Sequence, residues 1–421
     1  MAGKSWIKIV GPFLVLTFIY FIVGFLTTVN GQLQGPLKVA FLQDAGTWKN
    51  LLTTLISFFF FLGYLLNSSL ASRWIDKKGY KVTLIRSLGV MVLGLVLYFL
   101  SSWTAQVLGS EGIRMGQVLL PWGYVIFLLG SFVMGSSAAM IQVVVNPYVS
   151  AYDLPGTQPV QRMNITTAVN SVGTTVAPFF VTGLMFSGTS LDEVSAPQLI
   201  VPFLLLALAV ALVSVICMRL DLPDLSQTRT SERLPRSVWS FRHLALGVTA
   251  IFFYVGTEVS IGSNLNLHAM ETGANGALLS TLYWGGFLVG RTLMSFFPNL
   301  SPRGVLSVTC LLAMGLIVLA MPTENLWLLS AVGLVHSVMW SCIFVLAVKD
   351  LGRYTSRASG VFMMGVFGGA VFPVLQGFLA DALGSWQWTW MVALVCEAVM
   401  LSYAIWGCRI RKGDTDVAIE A

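Results

Sequence analysis

Apolar runs long enough to cross a bilayer's hydrocarbon core, which takes roughly 20 helical residues, recur along the whole chain and are broken only by short polar segments. Their spacing predicts twelve helices, at 9–33, 50–71, 83–103, 120–147, 161–187, 199–220, 243–266, 276–297, 304–322, 326–348, 357–380 and 386–408. The first run follows Lys4 and Lys8 as a signal peptide would. It continues to Val29 without a small-residue cleavage site, so it is read as the first span. The one long polar interruption, Asp221 to Arg242, holds Pro223, Pro235, Ser, Thr and alternating charge, the composition of a flexible linker. It divides the chain into an N-terminal half (1–220), a cytoplasmic linker (221–242), a C-terminal half (243–408) and a cytoplasmic tail (409–421).

The two halves echo each other. The fifth span of each opens with Arg and carries a Gly five residues before a Pro: Arg162, Gly173 and Pro178, then Arg357, Gly368 and Pro373, all offset by 195 residues. That shared offset predicts an all-α membrane protein of twelve transmembrane helices in two six-helix pseudo-repeats, the plan of transporters whose site lies between repeats. Gly and Pro inside a span allow a bend or a close helix approach, so Gly173 with Pro178 and Gly368, Gly369 with Pro373 are the expected hinges.

Composition supports a membrane chain and excludes a soluble one. Hydrophobic residues make up 56% and charged residues 10% of the 421, with a mean hydropathy of +0.81, against about 25% charged in soluble domains. The net charge of +6 belongs to loops beside spans rather than to a nucleic-acid surface. With both termini cytoplasmic, only Lys38, Lys49 and Arg114 of the 24 Lys and Arg fall outside, leaving 21 on the cytoplasmic side. Cys217, Cys310, Cys342, Cys396 and Cys408 lie in or beside apolar runs without CxxC spacing and read as packing residues. The three His, at 243, 268 and 336, are dispersed, with no HxxxH and no nucleophile constellation. Neither a metal site, nor a cofactor, nor an enzyme is expected. A sensor or scaffold would need a soluble segment that the tail from Arg409 is too short to supply.

The chemistry gathers on a few polar residues inside apolar runs. Glu258 stands in the middle of span 7, in Tyr254-Val255-Gly256-Thr257-Glu258-Val259. A charge at bilayer depth costs about 2.5 to 3.5 kcal/mol on insertion scales, so it faces a water-filled path or a partner. It is the expected coupling residue. Glu397 in span 12 is expected to pair with another helix, and His336 to be a hydrogen-bonded packing residue. His336 and Trp340, four apart, are expected on one face of span 10. Trp386, Trp388 and Trp390 read as an interfacial belt.

Between spans 2 and 3, Ser72-Arg73-Trp74-Ile75-Asp76-Lys77-Lys78-Gly79-Tyr80-Lys81 sets an acid before bases and a turn glycine. This resembles the loop signature of the major facilitator superfamily, Asp-Arg/Lys-x-Gly-x-Lys, with Ser72 in place of the usual leading glycine. Asp76, Lys77, Gly79 and Lys81, with Arg162 and Arg357, are the expected gating latch; the loop after span 8, Pro298 to Gly304, lacks the acid. Four further stretches resemble the superfamily's fucose:proton symporter family. These are Gln142-Val143-Val144-Val145-Asn146-Pro147-Tyr148, Arg162-Met163-Asn164-Ile165 continuing to Asn170-Ser171-Val172-Gly173, the span 7 stretch around Glu258, and Leu346-Ala347-Val348-Lys349-Asp350-Leu351-Gly352. The fucose permease branch carries acids on spans 1 and 4, where this chain has Gly31 and Gln142. A proton relay through those spans is therefore not expected. The acid that remains, Glu258, sits as in the glucose/galactose branch.

The resemblance implies a twelve-helix secondary transporter in the bacterial inner membrane, monomeric, taking up a neutral monosaccharide with a proton by alternating access. A sodium-coupled or uncoupled facilitator, or an exporter of the same fold, is the alternative reading. Amides offer sugar hydroxyls both donors and acceptors, which selects Asn30, Gln32, Gln142, Asn146 and Asn170 in the first half, and Asn264 and Gln376 in the second. Tyr254, Tyr283, Trp284 and Trp340 add flat apolar faces for the ring.

Overall fold

In lipid a backbone must satisfy its own hydrogen bonds, so each apolar run that spans becomes a helix. The computed structural model describes residues 2–43, 46–115, 118–152, 154, 155, 157, 159–187, 189, 193–220, 222, 236–295, 297, 300–351 and 354–410; the side chains of Asp76 and Arg357 are among a few that fall outside the described residues. The chain divides into two units, Met1–Arg229 and Thr230–Ala421.

The first unit is built from α1 (Ala2–Gln32), α2 (Gln34–Phe41), α3 (Lys49–Leu108), α4 (Trp122–Ala151), α5 (Pro159–Phe180) and α6 (Ile200–Arg219). Helix α3 joins the expected spans 2 and 3 through Gly79, whose φ of 81° and ψ of 172° suit only glycine. The segment between spans 3 and 4, expected as a loop, instead carries an antiparallel ribbon, β1 (Gly112–Met115) and β2 (Val118–Pro121), with Gly112 opposite Pro121. Ile113, Val118 and Leu119 supply its strand-forming side chains. The core stacks Tyr98 on Phe127 with centroids 4.3 Å apart, and Phe203 packs on Tyr98 at 5.0 Å.

The second unit holds α7 (Arg242–Val259), α8 (Leu265–Thr272), α9 (Gly276–Ser295), α10 (Pro302–Thr323), α11 (Leu326–His336), α12 (Met339–Val348), α13 (Thr355–Met364), α14 (Gly368–Leu383) and α15 (Met391–Ser402). More helices than spans appear here because several expected spans are interrupted. A π-turn, Ser260–Asn264, joins α7 to α8; a break at Ser337 and Val338 separates α11 from α12; a 3-10 turn, Gly365–Phe367, precedes α14. Trp386 and Trp390 are buried, Trp386 against Leu267 and Ala380, and only Trp388 is exposed. The expected belt is thus one residue, because the 3-10 turn Gln387–Trp390 turns the other two rings inward.

Among the described residues eleven helices are long and apolar enough to cross a membrane, where the sequence pattern predicts twelve. The exception is α9, whose glycines, Tyr283, Trp284 and Arg291 dilute its apolar character.

The same backbone crossing occurs in each unit. In the first, a Cβ on Gly63 of α3 would meet the backbone of Gly135 and Ser136 in α4, and one on Gly135 would strike the Phe60 carbonyl. In the second, Gly286 of α9 meets Gly333 and Leu334 of α11, and Gly333 abuts the Tyr283 carbonyl. Small residues let helix backbones touch in this way. Phe60 and Gly63 differ from Tyr283 and Gly286 by one offset, 223 residues. Gly173 likewise rests on the Phe21 carbonyl and Gly368 on that of Phe252, so these two of the three expected hinge glycines are contact points against the first helix of their unit.

Candidate functional site

Glu258 lies in the last turn of α7, immediately before the π-turn, and is half-buried. Among the described residues its carboxylate has no hydrogen-bond or ion-pair partner. A π-turn inserts one residue into a helix and rotates the turns after it, a device frequent at functional sites. Just before that turn the acid is partly accessible while Thr257 and Val259 remain buried.

Around it the second unit carries a buried polar chain. Glu397 Oε1 and His336 Nε2 are 2.7 Å apart, both side chains fully buried. His336 Nδ1 is 3.0 Å from the Tyr283 hydroxyl, which donates to the Glu258 carbonyl at 3.2 Å. Tyr254, one turn before Glu258, donates to the His336 carbonyl at 3.1 Å. The pairing expected of Glu397 is therefore with His336, a partner that the sequence does not single out because 61 residues separate them. Each was visible alone as a polar residue in an apolar run.

The expected aromatic faces divide. Tyr254 and Tyr283 are fully buried and their hydroxyls belong to this polar chain, so neither ring presents a free face. Trp284 is half-buried, its indole against Gly262 and 5.3 Å from Phe287, with Nε1 buried and unbonded by the protein. Trp340 is also half-buried, stacked on Phe344 at 5.4 Å. Between His336 and Trp340, expected on one face, the helix is interrupted at Ser337 and Val338, and His336 is fully buried where Trp340 is half-buried. Arg291, read from sequence as a loop charge, instead caps that break, its Nε donating to the Ser337 carbonyl at 3.2 Å.

Asn264 and Gln376 bond each other, Nδ2 to Oε1 at 2.9 Å, and Gln376 donates onward to Thr389 at 3.1 Å. Both are fully buried, which leaves only Asn264 Oδ1 unbonded. In the first unit Asn30 is buried and accepts from the hydroxyls of Tyr98 (2.5 Å) and Ser131 (3.0 Å). Gln32 is buried too. Three amides remain half-buried: Gln142, donating to the Tyr64 hydroxyl at 2.7 Å; Asn146, with Oδ1 unbonded; and Asn170, donating to the Tyr20 carbonyl at 2.7 Å. Fully engaged amides serve helix packing in this conformation, and the half-buried ones keep capacity for a ligand.

Of the expected latch, Lys77 is exposed, Gly79 makes the turn, and Lys81 Nζ donates to the Leu220 carbonyl at 2.7 Å, just past the C-terminus of α6. A cation is favoured at that end of a helix. Arg162 is buried and bonds the carbonyls of Val149 (3.1 Å) and Thr157 (2.9 Å), tying α5 to the end of α4. The side chains of Asp76 and Arg357 lie outside the described residues.

The sequence matches the family model of the Major Facilitator Superfamily over residues 16–370. It is 33% identical over 408 residues to the glucose/galactose transporter of Brucella abortus, an alignment covering 94% of this chain and 93% of that one. It is 26% identical over 436 residues to the L-fucose-proton symporter of Escherichia coli, covering 96% and 94%. A crystal structure of the E. coli fucose:proton symporter superposes with a TM-score of 0.67 at 23% identity, over 95% of this chain and 99% of that one, a likeness of fold.

Proposed function

We propose that this chain, which belongs to the Major Facilitator Superfamily, is a secondary active transporter that takes up a neutral hexose with a proton by alternating access. Its family is one of transporters and not of enzymes. The observation that carries the reading is Glu258: a carboxylate inside the candidate span Arg242–Thr272, half-buried, unpaired among the described residues, at the edge of a π-turn. Such a group can bind a cation on one side of the membrane and release it on the other.

The glucose and galactose class is favoured over fucose, because identity is higher to the relative named for those sugars (33% against 26%) and Gly31 and Gln142 replace the acids of the fucose branch. In the first unit Gln142, Asn146 and Asn170 would offer hydrogen bonds to sugar hydroxyls, and in the second unit Trp284 and Trp340 would offer faces to a sugar ring. By the offset that relates Gly135 to Gly333, 198 residues, Gln142 and Trp340 are equivalent positions in the two units. Twelve spans in two six-helix repeats, with α9 as the eighth, are supported by the repeated glycine crossings. Asp76, Lys77, Gly79, Lys81 and Arg162 would serve as gating-loop residues of the first unit, and Arg357 as one of the second. The protein would work as a monomer in a bacterial inner membrane.

Sodium is the second candidate for the coupled cation, favoured by one observation. Ser260 Oγ and Asn264 Oδ1, in the π-turn beside Glu258, are buried oxygens without a hydrogen bond from the protein. One experiment separates these readings. Labelled glucose, galactose, fucose, mannose and N-acetylglucosamine are offered to proteoliposomes under a proton gradient, a sodium gradient, or neither. Wild type is expected to concentrate glucose or galactose under the proton gradient, and Glu258→Gln only to equilibrate them. Uptake indifferent to both gradients and to the mutation would make the protein a facilitator.

A further inference from the structure

The polar chain behind Glu258 fixes where its protons sit. A backbone carbonyl only accepts, so the Tyr283 hydroxyl, 3.2 Å from the Glu258 carbonyl, gives its proton there. It must then accept from His336 Nδ1, 3.0 Å away. With Nδ1 carrying hydrogen, His336 Nε2 and Glu397 Oε1, 2.7 Å apart, share one proton, and the pair is neutral as a whole whichever atom holds it. A neutral, fully buried pair avoids the desolvation cost of an isolated charge. It also ends in a hydrogen bond to the main chain of Glu258.

We propose that Glu397, His336 and Tyr283 are positioning residues for Glu258: the buried pair, acting through the Tyr283 hydroxyl, holds the α7 backbone at the edge of the π-turn and so sets where the Glu258 carboxylate stands. This rests on the coupling role of Glu258. Tyr254 makes the second tie, from one turn earlier on α7 to the His336 carbonyl. The hydroxyl is not required by the helix crossing it sits on. In the first unit the equivalent position is Phe60, packed against the equivalent glycine. The phenol thus occurs in the unit that has the acid and is replaced by a plain ring in the unit that lacks it.

Among the described residues, ionisable groups on five of the helices packed around the chain face it. They are Tyr254 on α7, Tyr283 and Arg291 on α9, and Cys310 on α10. Cys342 on α12 and Cys396 beside Glu397 on α15 complete the set. Arg291 is the one fixed charge among them, so a change in the position of Glu258 relative to it changes the pH at which coupling occurs.

The test is the pH profile of proton-driven hexose uptake in proteoliposomes for wild type, Tyr283→Phe, Glu397→Gln and Glu258→Gln, with each protein's reconstituted amount measured. Tyr283→Phe deletes one oxygen, and Glu397→Gln keeps a hydrogen bond to His336, so both should insert and fold. The expected result is a midpoint displaced from wild type in Tyr283→Phe, because the carboxylate then stands differently relative to Arg291, and displaced in the same direction in Glu397→Gln. A Tyr283→Phe profile that superposes on wild type, or is lowered equally at every pH, overturns the positioning role. If Glu258→Gln itself still concentrates hexose, the coupling reading falls and the positioning role falls with it. If Glu258→Gln is uncoupled while Tyr283→Phe is unshifted, only the positioning role fails.

Discussion

At the scale of single residues the second unit is governed by one buried pair. Glu397 and His336 are each fully buried and each the other's main partner, with Glu397 Oε2 left unbonded. Removing one partner from such a pair strands the other, at about 3–5 kcal/mol, whereas replacing both with apolar groups is often near neutral. His336→Leu is therefore expected to lower stability sharply, and His336→Leu with Glu397→Met to regain most of it, as read by thermal unfolding in detergent. Equal melting of the single and double variants would show that the two side chains do not depend on each other. The sequence exposes both residues, because a carboxylate and an imidazole stand out in apolar runs. It does not expose their contact, which joins positions 336 and 397 across helices that no short-range pattern links. The same holds for Asn30 with Tyr98 and for Asn264 with Gln376: the amide can be read, but whether it faces a ligand or a neighbour is decided by packing.

At the scale of elements the apolar runs are legible because a span needs length and hydropathy, and the chain supplies both in blocks. The interruptions are not. The π-turn at Ser260–Asn264 is marked only by its Ser and Gly residues, and the break after His336, where Arg291 bonds the Ser337 carbonyl, has no hydropathy signal. Glycine spacing marks Gly173 and Gly368 as special, and the structure adds that each lies against a neighbouring carbonyl, which the sequence does not show. Which glycines matter can be tested on two helices of the same unit. A methyl on Gly333 would enter the Tyr283 carbonyl, so Gly333→Ala should cost about 1–3 kcal/mol as overpacking and should also displace Tyr283 from Glu258. A methyl on Gly315 of α10 meets nothing within 4 Å. Gly315→Ala should be neutral or stabilise by about 1 kcal/mol, since alanine is the better helix former. Unfolding temperature and hexose uptake, measured for both, would separate them; similar losses in the two would mean that the crossing is not the constraint.

At the scale of the molecule the strongest long-range signal is the placement of charge. Twenty-one of the 24 Lys and Arg fall on one side if twelve spans are crossed, and the three exceptions are Lys38, Lys49 and Arg114. Each basic residue near an anionic cytoplasmic leaflet contributes about 1 kcal/mol, so the opposite insertion would forgo a large and one-sided stabilisation. The assignment depends on α9 crossing the bilayer despite its diluted hydropathy, because every segment after it changes side if it does not. Reporter fusions settle this directly. Phosphatase joined after Arg114 should be active, and phosphatase joined after Lys78, Arg229 or Lys412 inactive, with a cytoplasmic fluorescent reporter giving the complementary pattern. The decisive pair brackets α9, at Asn275 and Arg303. Activity at Asn275 and none at Arg303 places α9 across the membrane and brings the C-terminus to the cytoplasm. Activity at both would leave α9 on the outer side, put the basic residues 409, 411 and 412 outside, and break the two-repeat architecture on which the sugar-transport mechanism depends.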